Sequence, residues 1–208
     1  MSLAAQLRLM VLTDPGWLKG RDAVDVCRRA VAGGATAIQV RWKDGAPADV
    51  AALAGALVAA LAVPVLVNDR VDVALAAGAA GAHLGWDDLP LDAARSFVPP
   101  GFLLGLSVGD PGQAARAQDL PADYWSVGPC YATGTKPDAG PPLGPEGFAR
   151  LARGAPAGVP VIGIGGVTAA TARAIVAAGA AGLAVTAAVL GATDPAAAAG
   201  ALRAASAF

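Results

Sequence analysis

A chain of 208 residues with 15 Lys and Arg, 16 Asp and Glu and one His has a formal net charge of −1, so no charge excess steers it to nucleic acid or to an anionic membrane. With 55% hydrophobic and 15% charged residues it can bury a sizeable core, which excludes disorder as its main state. The apolar stretches 51–67 and 174–192 read as buried elements and not as membrane spans, because Pro64 breaks the first and Ala and Gly dominate the second.

Short apolar runs of strand length alternate with Ala-rich segments of helical period from end to end. In chain order the expected strands are Leu7–Thr13, Ala35–Arg41, Val63–Val67, Ala80–Leu84, Leu103–Ser107, Tyr124–Val127, Val159–Ile164 and Gly182–Val185. Helices are expected between them at Asp22–Ala32, Ala48–Leu61, Val71–Ala77, Leu91–Phe97, Pro111–Asp119, Pro145–Arg153, Ala169–Ala178 and Asp194–Ala205. Pro47, Pro111 and Pro195 stand where a helix can begin, and Gly33, Gly78 and Gly179 where one can stop. The segment Ala77-Gly-Ala-Ala-Gly81 returns as Ala178-Gly-Ala-Ala-Gly182, each time leading into a strand. Eight βα units without a linker predict a single domain over 1–208, an α/β protein of the (β/α)8 TIM-barrel class. No strand is followed by a dinucleotide fingerprint, which removes the main argument for an open sheet.

In such a barrel the chemistry belongs to the loops after the strands. If alternation continues past the second strand, Gln39, Arg41 and Lys43 share one face and point toward the mouth, where two cations call for an anion; the alternative is a strand that ends before Arg41, with the cations in water. Asn68-Asp69-Arg70 follows the third strand and Asp87-Asp88 the fourth, so neighbouring carboxylates can share a hard cation such as magnesium. Helix capping by Asp87 or Asp88, and a turn pairing of Asp69 with Arg70, are the plain alternatives. His83 reads as a hydrogen-bonded core histidine. The long loop after the sixth strand carries Thr133, Thr135 and Lys136, two hydroxyls and a cation suited to phosphate. Gly165 and Gly166 after the seventh strand, and the backbone at Thr186 after the eighth, can bring N–H groups to the same anion. Two cysteines, Cys27 and Cys130, without metal spacing and without a basic, apolar N-terminal segment, suggest free thiols in the cytoplasm.

Six pieces in order resemble the thiamine-phosphate synthase family over essentially the whole chain. They are Gln39-x-Arg41-x-Lys43, Asn68-Asp69-Arg70, His83-Leu-Gly with Asp88, Gly105-Leu-Ser107, Gly128-Pro with Thr133-x-Thr135-Lys136, and Ile164-Gly-Gly166. The resemblance implies a TIM barrel that joins an aminopyrimidine methyl diphosphate to a thiazole phosphate with Mg2+ and releases pyrophosphate. It implies Gln39, Arg41, Lys43, Asn68, Ser107 and Lys136 as ligands of the pyrimidine diphosphate, with Arg41, Lys43, Ser107 and Lys136 as the catalytic set. Asp69 and Asp88 are implied as metal ligands, and Thr133, Thr135, Gly165, Gly166 and Thr186 as the thiazole-phosphate site. Partners are then small molecules, with no nucleic acid and no membrane, and a homo-oligomer stays open. The chain departs from the family pattern at Trp42 (usually Glu), at Trp86 (usually Gln), and at Thr186-Ala187, where an apolar residue and Ser are common. A related thiazole tautomerase typically has a His shortly after the strand-five Ser and lacks the Asn-Asp pair, whereas this chain reads Ser107-Val-Gly109 and keeps Asn68-Asp69. A non-catalytic binder of thiazole phosphate or thiamine phosphate is the third reading.

Overall fold

The computed structural model describes residues 1–136 and 139–206, so Pro137 and Asp138 of the loop after the sixth strand, and positions 207–208, lie outside the described residues. Eight parallel strands close into a barrel in sequence order: β1 (Leu9–Leu12), β2 (Ala37–Val40), β3 (Val65–Asn68), β4 (Gly81–Leu84), β5 (Leu103–Val108), β6 (Tyr124–Val127), β7 (Val161–Ile164) and β8 (Gly182–Val185). The helices are α1 (Leu3–Gln6), α2 (Pro15–Leu18), α3 (Ala23–Ala32), α4 (Pro47–Ala60), α5 (Val71–Ala76), α6 (Leu91–Phe97), α7 (Pro111–Ala117), α8 (Gly144–Ala152), α9 (Ala169–Ala177), α10 (Ala187–Leu190) and α11 (Pro195–Ser206). The expected α/β (β/α)8 barrel is therefore the observed fold, and each expected strand and helix is present.

Where bounds differ, the backbone gives the reason. Pro64 and Pro160 have no N–H to donate, so β3 and β7 start after them, although their carbonyls still accept from Ile38 and Trp125. Before β1, Leu7 ends α1 with its N–H on the Leu3 and Ala4 carbonyls, and before β2 the Thr36 hydroxyl accepts the Leu9 N–H at 2.9 Å. Strand β2 stops at Val40, because the Arg41 N–H turns to the Thr13 hydroxyl at 3.0 Å. Two single-turn helices, α1 and α2, are additional to the expected ones, and α10 starts at the Thr186-Ala-Ala segment where a helix N-terminus is expected; each has four residues, too few to show a helical period.

Side-chain alternation sorts the strands into two faces. Val11, Ile38, Val40, Val65, Val67, Leu104, Leu106, Trp125 and Val127 join the core under the helices. Met10, Leu12, Ala37, Leu66, Tyr124, Ile162 and Ala184 form a separate cluster inside the barrel, joined by Leu7. Helix α3 shows how the outer ring is built: Asp22 caps it by accepting the Asp25 N–H at 2.9 Å, and Val26, Cys27 and Ala30 form its buried face. Each fully buried Leu, Ile or Val contributes about 1.5–3 kcal/mol.

The interior is not wholly apolar, because Gln39, His83 and Ser126 are also buried there. Gly105 faces His83 on one side and Tyr124 on the other in the ladder, and a Cβ at this position would lie 2.2 Å from the Tyr124 ring and 2.4 Å from His83 Nδ1. Gly55, in the middle of α4, has open space around it. Two Gly→Ala substitutions therefore act in opposite directions: Gly105→Ala lowers urea-unfolding stability by about 1–3 kcal/mol through overpacking, and Gly55→Ala raises it by about 0.5–1 kcal/mol through helix propensity. Equal effects would contradict this account of the interior.

Candidate active site

The C-terminal ends of the strands meet at one mouth, and the cations that follow β2 are already paired there. Arg41, just past β2, donates to Asp14 Oδ2 at 2.6 Å; Asp14, past β1, also caps α2 through the Gly16 and Trp17 N–H groups. Lys43 Nζ donates to Asp69 Oδ2 at 2.7 Å. The strand does end before Arg41, so the alternation does not carry on to Lys43, which is half exposed; yet neither cation is bare, because each holds a carboxylate. Arg70 pairs with Asp72 and not with Asp69.

Asp69 has a left-handed backbone, φ 64°, a conformation Asp tolerates better than most residues. Its N–H donates to the His83 carbonyl at 2.8 Å, which ties the end of β3 to β4. Asp88 does not cap α6; its Oδ2 accepts the Gly85 N–H at 2.7 Å and closes its own loop. Burial pushes the Asp88 carboxyl above its ordinary range; the Gly85 N–H opposes this, the adjacent Asp69 carboxylate adds to it, and Lys43 pulls it back. Two neighbouring carboxylates, one of them pushed toward protonation mainly by burial and further by the other, are a hard-oxygen donor pair that a divalent cation would relieve. Among the described residues no group of three or more His, Cys, Asp and Glu side chains could hold a metal, so the remaining ligands would be water and substrate oxygens.

A cleft of about 530 Å³ is lined by Asp14, Arg41, Trp42, Lys43, Thr135 and Lys136, among others. Lys136 has no carboxylate partner among the described residues. On the other side of Trp42 and Lys43, a smaller cleft of about 120 Å³ contains Asn68 and Asp69. Ser107, Asp88, Thr133, Gly165, Gly166 and Thr186 line neither. Thr133 accepts the Thr135 N–H at 3.2 Å. Gly165 and Gly166 have φ of 89° and 64°, and a Cβ on either would run into the Pro129–Ala132 segment; the Ile164 and Gly165 carbonyls accept from Cys130 and Tyr131. These glycines therefore hold the loop after β6 against β7. Thr186 is the N-cap residue of α10 and its carbonyl accepts from Val189 and Leu190.

Ser107 is held on two sides. His83 Nε2 lies 3.0 Å from its hydroxyl, and Trp86 Nε1 donates to its carbonyl at 2.9 Å, with Arg116 stacked 4.4 Å from the Trp86 ring. Trp86 thus braces the end of β5. His83 Nδ1 is 2.9 Å from the Tyr124 hydroxyl, which makes His83 the hydrogen-bonded core residue expected. Gln39 is buried inside the barrel with its Nε2 3.4 Å from Met10 Sδ, and its Oε1 has no partner.

Sequence reasoning missed Asp14, Trp17 and Arg21. Trp17 Nε1 donates to Thr135 Oγ1 at 3.1 Å, and Arg21 donates to the Leu18, Trp17, Leu190 and Ala192 carbonyls, so α2 is pinned to the loop after β6 and to the region of α10. The signal was present, because Thr13-Asp14-Pro15-Gly16 is a helix-start pattern at a strand's C-terminal end.

The family model for thiamine monophosphate synthase matches residues 9–189. The chain is 47% identical over 197 residues to the thiamine-phosphate synthase of Roseiflexus sp. (strain RS-1), covering 93% of this chain and 83% of that one. It superposes on the thiamine phosphate pyrophosphorylase from Pyrococcus furiosus with a TM-score of 0.88 at 33% identity, covering 99% of this chain and 98% of that one. A 3-hexulose-6-phosphate synthase, with a TM-score of 0.69 at 21% identity and 96% and 99% coverage, shares the fold alone.

Burial lowers the His83 pKa from 6.5 to about 4, with Asp69 opposing and Lys136 adding to the shift. The unfolded chain therefore binds a proton between these values that the folded chain does not, so stability is present above pH 6.5 and is lost as pH falls toward 4. Urea unfolding should show a loss of about 2 kcal/mol between pH 6.5 and 5; a flat profile there would contradict a neutral, buried His83.

Proposed function

Since the chain belongs to the thiamine monophosphate synthase family, a family of transferases in thiamine biosynthesis, we propose that its mouth binds an aminopyrimidine methyl diphosphate and a thiazole phosphate and joins them with Mg2+ as cofactor. The observation that carries the reading is the convergence of Arg41, Lys43, Thr135 and Lys136 on one cleft, with the Asp69 and Asp88 carboxylates beside Lys43. In this reading Arg41, Lys43 and Lys136 hold the diphosphate, and Gln39, Asn68 and Ser107 hold the pyrimidine end. The buried, unpartnered Gln39 Oε1 supports that role, because a ligand donor would satisfy it.

Thr133, Thr135 and the backbone at Gly165, Gly166 and Thr186 would take the thiazole phosphate and so present the ring nitrogen to the carbon that loses pyrophosphate. The carbon–oxygen bond breaks first, leaving a pyrimidinylmethyl cation that the electron-rich ring stabilises, and the thiazole nitrogen then supplies the electron pair for the new bond. Arg41, Lys43 and Lys136 act on the leaving group, where negative charge grows. Magnesium held by Asp69 and Asp88 would supply further positive charge to the same oxygens. No protein base is needed. The tautomerase reading requires one, and the single His83 has both ring nitrogens engaged inside the barrel.

The partners are then small phosphorylated molecules. Among the described residues no helix is long and apolar enough to cross a membrane. The free, buried Cys27 and Cys130 fit a cytoplasmic setting.

Asn keeps the size of Asp and tolerates the left-handed backbone at position 69, and at position 88 its amide oxygen can still accept from Gly85. Asp69→Asn and Asp88→Asn should therefore unfold like the wild type yet lower kcat/KM by about 10²–10³-fold. The check is to supply both substrates and follow thiamine phosphate and pyrophosphate together with and without magnesium. Undiminished turnover by the double variant without metal would overturn the site.

A further inference from the structure

We propose that Tyr124 is a positioning residue which, through His83, makes the Ser107 hydroxyl a hydrogen-bond donor toward the substrate. The inference rests on the reading of Ser107 as a substrate contact and adds the polarity of that contact.

The geometry is a chain of three hydrogen-bonded polar side chains across the barrel interior, with Gln39 buried beside it. Gln39 lies on β2, Tyr124 on β6, His83 on β4 and Ser107 on β5. The Tyr124 hydroxyl is 2.9 Å from His83 Nδ1, and His83 Nε2 is 3.0 Å from Ser107 Oγ. The two rings are 5.4 Å apart and tilted by 31°, and they fill the space that a Cβ on Gly105 would need. The gap left by that glycine admits the pair.

A neutral imidazole has one N–H and one bare nitrogen, so only one of Tyr124 and Ser107 can donate to His83. Tyr124 decides which. Tyr124 is fully buried, its hydroxyl lies on His83 Nδ1, and the nearby Gln39 does not take its hydrogen, because the Gln39 Nε2 faces Met10 Sδ at 3.4 Å and its Oε1 has no partner. A thioether can only accept, so the nitrogen and not the oxygen of the amide belongs on that side. A buried O–H left without an acceptor is costly, so the Tyr124 hydrogen goes to His83 Nδ1, whereas the part-buried Ser107 can send its own hydrogen elsewhere. His83 then carries its hydrogen on Nε2 and donates to Ser107 Oγ, while the Ser107 hydrogen remains for the mouth.

The consequence concerns substrate chemistry. A donor at Ser107 matches an acceptor atom of the substrate, a phosphate oxygen or an unprotonated ring nitrogen, and disfavours an amino group. The opposite order would make Ser107 an acceptor and select the amino group. Trp86 leaves that hydroxyl free for this role by engaging the Ser107 carbonyl instead.

The single histidine makes the test direct, because uniformly 15N-labelled protein has one imidazole spin system. Long-range 1H–15N correlation at pH 7 should show Nε2 protonated and Nδ1 bare. A protonated Nδ1 would overturn the proposal whatever the activity. In kinetics, Tyr124→Phe should raise KM for the pyrimidine diphosphate about tenfold with kcat changed less than about threefold. In a Ser107→Ala background the same substitution should add nothing. An equal loss in both backgrounds would assign Tyr124 a packing role and refute the proposal. If Tyr124→Phe does not fold, the wild-type tautomer decides alone. Wild-type protein that forms no thiamine phosphate would sink the assigned reaction, while the spectrum still reads the hydrogen-bond order.

Discussion

Closure of eight parallel strands is the constraint on which the rest of the molecule depends. Parallel pairing in sequence order leaves no free sheet edge and points every strand's C-terminal end at the same opening. Asp14, Arg41, Asp69, Asp88 and Ser107 are far apart in the chain, and each stands at or just past such an end. The helices cover the apolar outer faces, so polar side chains gather at the mouth and in the barrel axis.

Gathering charge in one place requires counter-charge, and the protein supplies its own. The Arg41 and Asp14 side chains are 13% and 17% exposed, so their bond is shielded from water and also anchors α2. Lys43 is 51% exposed and its partner Asp69 22%, and an exposed pair of this kind is worth only about 0–1 kcal/mol. The two pairs therefore divide the work. Arg41 stays fixed by Asp14, whereas Lys43 and Asp69 can separate at little cost, as the proposed phosphate and metal contacts require. Lys136 brings a cation without a carboxylate partner among the described residues, and in the proposed function the substrate anion supplies one.

Much of this was legible in the sequence, because parallel barrels repeat a strong local pattern. All eight strands were readable from apolar runs between Gly and Pro signals, and the residues at their ends follow once the ends are known. In the sequence Gly165 and Gly166 offer room for a phosphate, and the structure adds a role within the protein: their positive φ holds the loop after β6. The inner polar chain was not legible. Tyr124 sits in the apolar run of β6 and looks like core, and only closure of the barrel brings it opposite His83. The pairing of Arg41 with Asp14 was hidden in the same way, since nothing local links residues on different strands.

If strand ends from across the chain form one diphosphate site completed by a divalent metal, as proposed, magnesium must govern pyrophosphate binding. Titration of pyrophosphate into the wild-type protein by calorimetry, with and without magnesium, tests it most directly. Saturable one-to-one binding at least tenfold tighter with magnesium than without it is expected. Equal affinity in both conditions would contradict the account.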